Sequence, residues 1–319
     1  MDAKSIKARL KVRSNSQILM LGVALIAIVI GMCFATDRFY QTKNLLNILT
    51  QITCLGIAAL SAGIVMISGG IDLSLGNIIS FSGCAAASVM SAGGSAAQGF
   101  LVGVLVAVGC STLNGILIVL SKAEPFIITL GMMCVYQGLT LLVTEGKNIG
   151  VDTVGFTFGR DKIAGVVPYP VIFLITIFAV IYLVFKYTRF GRRAYAIGNN
   201  TEAAYLTGVK IKRNKIFVFA LSGLLLGIAA MILLSRLGSG NSTMGDSMLM
   251  QAIAAAVIGG VAMSGGKGNI WGILLGTLLI GIISNSLNLL MVPSFWQYVV
   301  LGSIIVAAVF ISNAGSKKR

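Results

Sequence analysis

Residues 73–121 read LSLGNIISFSGCAAASVMSAGGSAAQGFLVGVLVAVGCSTLNGILIVLS and contain no charged side chain. As one helix these 49 residues would run about 74 Å, more than twice the ~30 Å hydrocarbon core of a bilayer. The run therefore crosses twice, turning near SAGGSAAQG (91–99). Asp72 stands just before it, and Asn44–Ile71 upstream is a further uncharged stretch long enough to cross. A second uncharged run of 49 residues covers 268–316, and Val292–Pro293–Ser294 divides it into two spans.

The rest of the chain has the same character. It is 57% hydrophobic and only 10% charged over 319 residues, far too little charge for a water-soluble surface of that size. The fold class is an all-α integral membrane protein in contact with the lipid bilayer. A net charge of +15 would suggest nucleic acid in a soluble chain. Here the basic residues flank apolar spans, which is the pattern of topology signals and anionic headgroup contacts, so no nucleic-acid partner is expected. Histidine is absent, which removes the commonest general base and metal ligand together. The five cysteines (33, 54, 84, 110 and 134) fall in apolar stretches without CxxC spacing and read as small buried hydrophobes. No catalytic residue, metal site or cofactor is expected.

Ten spans result. Gln17–Thr36 is an uncleaved first helix, since its core is too long for a signal peptide. Asn44–Ile71 is the second, and 73–121 supplies the third and fourth. Pro125–Thr144 is the fifth, and Pro168–Tyr169–Pro170 leads into a sixth ending near Phe185. Ile216–Ser235 is the seventh, Ser247–Ser264 the eighth, and 268–316 gives the last two. With the N-terminus inside, the outer face receives six basic residues (Arg38, Lys43, Lys147, Arg160, Lys162, Arg236) and the inner face the other 18 of 24. The positive-inside rule thus favours both termini in the cytoplasm. The chain reads as one transmembrane domain, 1–319, with a cytoplasmic N-terminus (1–16), a cytoplasmic loop (186–215) and a cytoplasmic tail (313–319).

That loop contains GRRAYAIGNNTEAAYLTGVKIKRNK (191–215), the longest strongly polar segment between two spans. Asn199 and Glu202 form a capping-box-like pair, and Gly208 is the stop of a two-turn helix. So short a helix needs a partner or the membrane domain to hold it. Ser68–Gly69–Gly70 after the second span and Ser264–Gly265–Gly266 after the eighth each precede a helix with glycine at a matching offset, Gly76 and Gly272. Such paired interruptions suggest an internal pseudo-repeat around a transport path.

Candidate path residues are few. Asp72 is the only acid embedded between long apolar runs. Charge at membrane depth suggests function, but Asp72 or Ser74 capping the third helix at the inner boundary is the simpler expectation. Asn77, Asn114, Gln251, Asn285 and Asn288 can line a hydrophilic path or hold helices together. Gly265–Gly266–Lys267–Gly268 fails as a phosphate loop, because GxxxxGK[ST] needs glycine where Val261 stands and a hydroxyl where Gly268 stands. ATP is not bound through this segment.

Several blocks resemble the permease subunits of ATP-binding-cassette (ABC) importers for monosaccharides. The likeness is to the ribose-permease type, related more distantly to branched-chain amino-acid permeases. They are ISGGIDLSLGNIISFSG (67–83), PFIITLGMM (125–133), GRRAYAIGNNTEAAYLTGV (191–209), IGGVAMSGGKGNIWGILLGTLLIGIISNSLNLL (258–290) and SFWQ (294–297). The resemblance runs from about residue 45 to 310. It implies a separate ABC ATPase, a second permease copy (identical or related), and a periplasmic or lipid-anchored sugar-binding protein, all at the cell inner membrane. It also implies that a cytoplasmic coupling helix docks on the ATPase through Asn199, Thr201, Glu202, Ala203, Ala204, Leu206 and Gly208. The chain departs from the family at Leu249–Ile253, which lacks a carboxylate, and at Val261–Ala262, which replaces a Thr–Ser pair. The alternative is an ion-gradient-driven secondary transporter of a small polar solute, which would want ionisable groups among the spans beyond Asp72. A membrane enzyme would need clustered catalytic residues that this sequence lacks.

Overall fold

The computed structural model describes residues 19–314 apart from 20, 152–155, 158, 160 and 164–166. The expected N-terminal segment 1–16, the beginning of the first span, Arg160 and the tail beyond residue 314 lie outside the described residues. Helices α1 (Leu21–Ala35), α2 (Thr42–Ile67), α3 (Leu75–Ser91), α4 (Ala96–Ser121), α5 (Pro125–Thr144) and α6 (Tyr169–Tyr187) come first. They are followed by α7 (Arg189–Asn199), α8 (Thr201–Leu206), α9 (Ile211–Leu237), α10 (Asp246–Ile258), α11 (Ile270–Leu289) and α12 (Ser294–Ala314). Six of them, α2, α4, α5, α6, α9 and α11, are long and apolar enough to cross a membrane. The apolar helices α1, α3, α10 and α12 stand where the remaining four spans were expected.

Local chemistry sets the ends. The turn inside the uncharged run occupies 92–95, and Ser95 and Gln98 start α4 with a reciprocal capping box. Proline opens α5, where a missing N–H costs nothing, and the 290–293 break separates α11 from α12. Gly238 in left-handed conformation stops α9. Two short antiparallel pairs were not anticipated: β1 (Ile149–Gly150) with β4 (Ser239–Gly240), and β2 (Lys162–Ile163) with β3 (Val167–Pro168). The first pair ties the α5–α6 connection to the end of α9.

The core is built around α2, in which every residue from Ile52 to Ile67 is buried. Helix α9 packs against α2 and α4, and small residues let the backbones close in. A Cβ on Gly223 would stand 2.6 Å from the Ala107 carbonyl oxygen, and one on Gly276 would stand 2.1 Å from that of Ala255. Ser61 and Ser222 join α2 to α9 through their hydroxyls at 2.6 Å. Of the cysteines, Cys54 and Cys84 are buried as expected, but Cys33 and Cys134 are exposed on the protomer surface.

The largest departure from the sequence reading concerns the eighth span. It is not a helix over 247–264: α10 has 13 residues and ends at Ile258. At 1.5 Å per residue it is about 20 Å long and cannot cross by itself. The 238–245 connection runs alongside α3. Gly240 lies against Cys84 and Ala87, Met244 against Gly83, and the Gly245 amide donates to Ser80 Oγ at 3.0 Å. Gly245 then meets Gly76, where a Cβ would come within 2.1 Å of the Gly76 carbonyl oxygen. Gly76 is one residue into α3, whose other end is Ser91. The helical rise therefore carries the connection from about 6–10 Å to about 22 Å below that end. Residues 238–245 run along α3 into the bundle, and α10 begins beside the first turn of α3.

A second non-helical stretch, 68–74, penetrates from the opposite end of the bundle. Asn114 of α4 donates to Ser74 Oγ at 2.8 Å, about 10 Å along the helix from its end at Ser121. The helices α3 and α10 thus both start at depth, and their first turns cross at Gly76 and Gly245.

Candidate functional site

The two diglycine turns, 69–70 and 265–266, meet in space. The Gly266 amide donates to the Ile67 carbonyl at 2.9 Å, joining the end of α2 to the α10–α11 connection. Gly198 of α7 sits on this junction. A Cβ there would lie 2.0 Å from the Ile67 oxygen, 2.5 Å from the Gly266 nitrogen and 3.1 Å from the Gly69 nitrogen. Three backbone segments at that separation exclude every side chain larger than hydrogen. Gly76 and Gly272, seven residues beyond Gly69 and Gly265, face the two ends of α10. Gly76 meets Gly245, and a Cβ on Gly272 would be 2.0 Å from the Gly259 oxygen.

Helix α7 was missed in the sequence, where 189–199 reads as a basic loop. Thr188 accepts from the Gly191 amide at its start. Gly191, Ala194 and Ile197 are buried while Arg189, Arg192 and Arg193 are exposed. That spacing of three is an amphipathic stripe, legible in hindsight. Tyr195 anchors the helix: its hydroxyl donates to the Gly268 carbonyl at 3.0 Å, its ring meets Phe185 edge-on, and burial raises its phenol above the ordinary value.

Helix α8 is the short helix expected near Asn199, with its cap one residue later. Asn199 is the last residue of α7, and Asn200 is the N-cap of α8, its side chain accepting from the Ala203 amide at 2.9 Å. The physical reason is that α7 continues through Gly198 to Asn199, so the extended φ/ψ a cap needs falls on Asn200. Gly208, at φ +78°, ends the helix, and the Val209 amide donates to the Ala204 carbonyl. Of the residues grouped here from the sequence, Thr201, Glu202, Ala203, Leu206 and Gly208 are exposed, but Ala204 is buried and faces the bundle. Tyr205, absent from that group, is 70% exposed beside Leu206 at 81%.

Asp72 does not cap α3. The Asp72 Oδ1 accepts from the Ser74 amide at 2.9 Å and the Ser74 hydroxyl at 2.6 Å, and no side chain bonds an amide of the first α3 turn. It belongs to a buried chain. Asn114 donates to Ser74, and the Tyr136 hydroxyl is within 2.9 Å of Asn114 Oδ1 and 2.8 Å of the Cys110 carbonyl. Thr129 pins the same stretch by accepting from the Leu73 amide and donating to the Ile71 carbonyl, both at 3.1 Å. Asp72, Ser74, Asn114 and Tyr136 are all at most 3% exposed, and Asp72 Oδ2 has no hydrogen-bond partner among the described residues. The network closes the 68–74 stretch against α4 and α5.

The other polar candidates are not brought together. Asn77 donates to Gln137 Oε1 at 2.7 Å, joining α3 to α5. Asn285 and Asn44 exchange hydrogen bonds at 2.9 and 3.2 Å between α11 and α2. Asn288 accepts from Gln297 at 3.0 Å, and Gln251 is half-buried on α10.

This geometry is a multi-pass helical bundle with non-helical segments running between its helices and a short, exposed helix fixed to its end: a membrane transport protein. Residues 44–309 match the family described as branched-chain amino acid transport system / permease component, and the chain belongs to that family. It is similar to ribose import permease protein RbsC of Bacillus subtilis, at 40% identity over 93% of this chain and 92% of that protein. The corresponding protein of Haemophilus influenzae is 35% identical over 93% of each chain. D-allose transport system permease protein AlsC of Escherichia coli is 33% identical over 92% of this chain and 90% of that one.

Proposed function

We propose that this chain is the membrane-spanning permease subunit of an ATP-binding-cassette importer, passing a monosaccharide of the ribose class inward across the cell inner membrane. Its relatives are sugar permeases over nearly their full lengths. The reading adds a separate ATPase, a second permease copy, and an extracytoplasmic sugar-binding protein that delivers the solute. Residues 186–215 face the cytoplasm in this reading, as the basic charge there favours.

The observation that carries the reading is the placement of α8. An isolated helix of six residues has no stability of its own, yet this one presents Tyr205 and Leu206 outward. It is joined through Gly198 to the backbone junction of α2 and the α10–α11 turn. Movement of a partner bound to α8 would be delivered to two membrane segments at once, and coupling between distant sites needs such a two-state contact. Glu202, Ala203, Tyr205 and Leu206 form the proposed ATPase contact, while the Asn200 cap and the buried Ala204 hold the helix in place.

Sealed vesicles test this. With the ATPase and binding protein present, ATP drives concentrative sugar uptake; uptake sustained by a proton or sodium gradient without the ATPase overturns the assignment. Tyr205→Asp with Leu206→Asp is expected to lower ATPase co-purification and uptake by at least about tenfold, as loss of central contacts does, with the permease still inserted. Unchanged uptake removes α8 as the contact.

A further inference from the structure

The sequence counts Asp246 among the residues outside the membrane. The structure puts it at the first position of α10, beside Gly245 and hence about 22 Å below the outer end of α3. It is exposed there, as are Thr243 and Ser247, and Met250 one turn on is 53% exposed. Asn241 is half-exposed above them, and its Oδ1 accepts from the Thr243 amide and hydroxyl, each at 3.1 Å.

The lipid-facing surfaces of the bundle have a different composition. The outward face of α6 carries Ile172, Ile175, Val180 and Leu183, and that of α4 carries Leu101, Leu105, Leu113 and Leu120. Those faces suit lipid. A carboxylate does not, and neither does non-helical backbone: irregular segments exist at membrane depth only inside protein or along a water-filled cavity. The inner flank of 238–245 is covered by α3. Its other flank, continuing onto α10, carries the hydroxyls and the carboxylate.

We propose that Thr243, Asp246 and Ser247, with Asn241 above and Met250 below, form the wall along which the solute crosses. Asp246 accepts hydrogen bonds from neighbouring hydroxyls of a neutral polyhydroxylated solute. A row of hydroxyl and amide groups ending in a carboxylate offers many acceptors and no cation, which suits such a solute and disfavours an anionic one. The chemical class of the solute rests on the sugar-permease reading; the position of the wall does not.

The test uses the assembled transporter in membrane vesicles, in a Cys33→Ser, Cys134→Ser background that removes the two exposed thiols. Thr243→Cys and Ser247→Cys are expected to react with a membrane-impermeant methanethiosulfonate at least about tenfold faster than Ile175→Cys, since an apolar surround suppresses the thiolate. The transported sugar should slow that reaction. Rates equal to that of Ile175→Cys overturn the wall, as does ready disulfide formation between Thr243→Cys residues of two copies, which would mark a sealed subunit contact. Fast labelling that no monosaccharide slows keeps the wall and overturns the sugar. Asp246→Asn is expected to lower uptake about tenfold or more by weakening charge-assisted hydrogen bonds, with assembly yield and melting midpoint unchanged, while Asp72→Asn stays within about twofold because Oδ1 is kept for Ser74. Wild-type uptake by Asp246→Asn overturns the role of the carboxylate.

Discussion

Non-helical backbone penetrates this bundle from both ends, and the two incursions are finished differently. The 68–74 stretch is sealed: Asp72 and Ser74 are buried, Asn114 and Tyr136 extend their hydrogen bonds into α4 and α5, and Thr129 holds the neighbouring backbone. The 238–245 stretch is covered on the α3 side and leaves Thr243 and Asp246 exposed on the other. Both stretches start a helix at depth, and both bring a carboxylate with them. The difference teaches that an acid inside a helical bundle acquires its role from what closes over it. Asp72 is a strut in a polar network, whereas Asp246 is left exposed, as the proposed path requires.

The comparison breaks most severely where the two stretches touch. Gly245→Val would drive a Cβ within 2.1 Å of the Gly76 oxygen, and neither helix can retreat without displacing the non-helical segment that leads into it. The expected cost exceeds about 3 kcal/mol, seen as loss of monodisperse protein in detergent and of uptake in vesicles. A folded, active variant would show that the crossing is slack. Asn114→Leu comes next. It strips Ser74 and Tyr136 of a buried partner and should destabilise by about 2–4 kcal/mol, lowering the melting midpoint while the sugar concentration for half-maximal uptake stays unchanged. A shift in that concentration without a change in melting would make the sealed stretch part of the path. Tyr136→Phe is the mildest, about 1–2 kcal/mol for one buried hydroxyl, again with the sugar dependence unaltered.

Much of this was legible from residue order. Pro125 and Thr144 bound α5 as read, the turn at 92–95 lies within SAGGSAAQG, and Val292–Pro293–Ser294 divides the last uncharged run. These are signals a few residues long, set by charge, proline and glycine, and they survive in any fold. The short helix α8 was visible for the same reason, although its cap moved from Asn199 to Asn200 because α7 continues to meet it. Helix α7 was harder to see, since its buried stripe is glycine, alanine and one isoleucine among three arginines.

By itself the sequence determined that the chain lies in a membrane, where most helices begin and end, and which segment is basic and polar. Those properties follow from local composition against a hydrocarbon solvent of fixed thickness. Only the tertiary structure decided that α10 is too short to cross, that 238–245 folds back along α3, and that Gly198 locks α7 onto both turns. Depth in a bilayer depends on which helix a segment lies against, and no count along the chain contains that contact. Asp72 and Asp246 show the consequence. In residue order Asp72 reads as a boundary cap, yet it is a buried strut; Asp246 reads as a loop residue, yet it stands open inside the membrane domain.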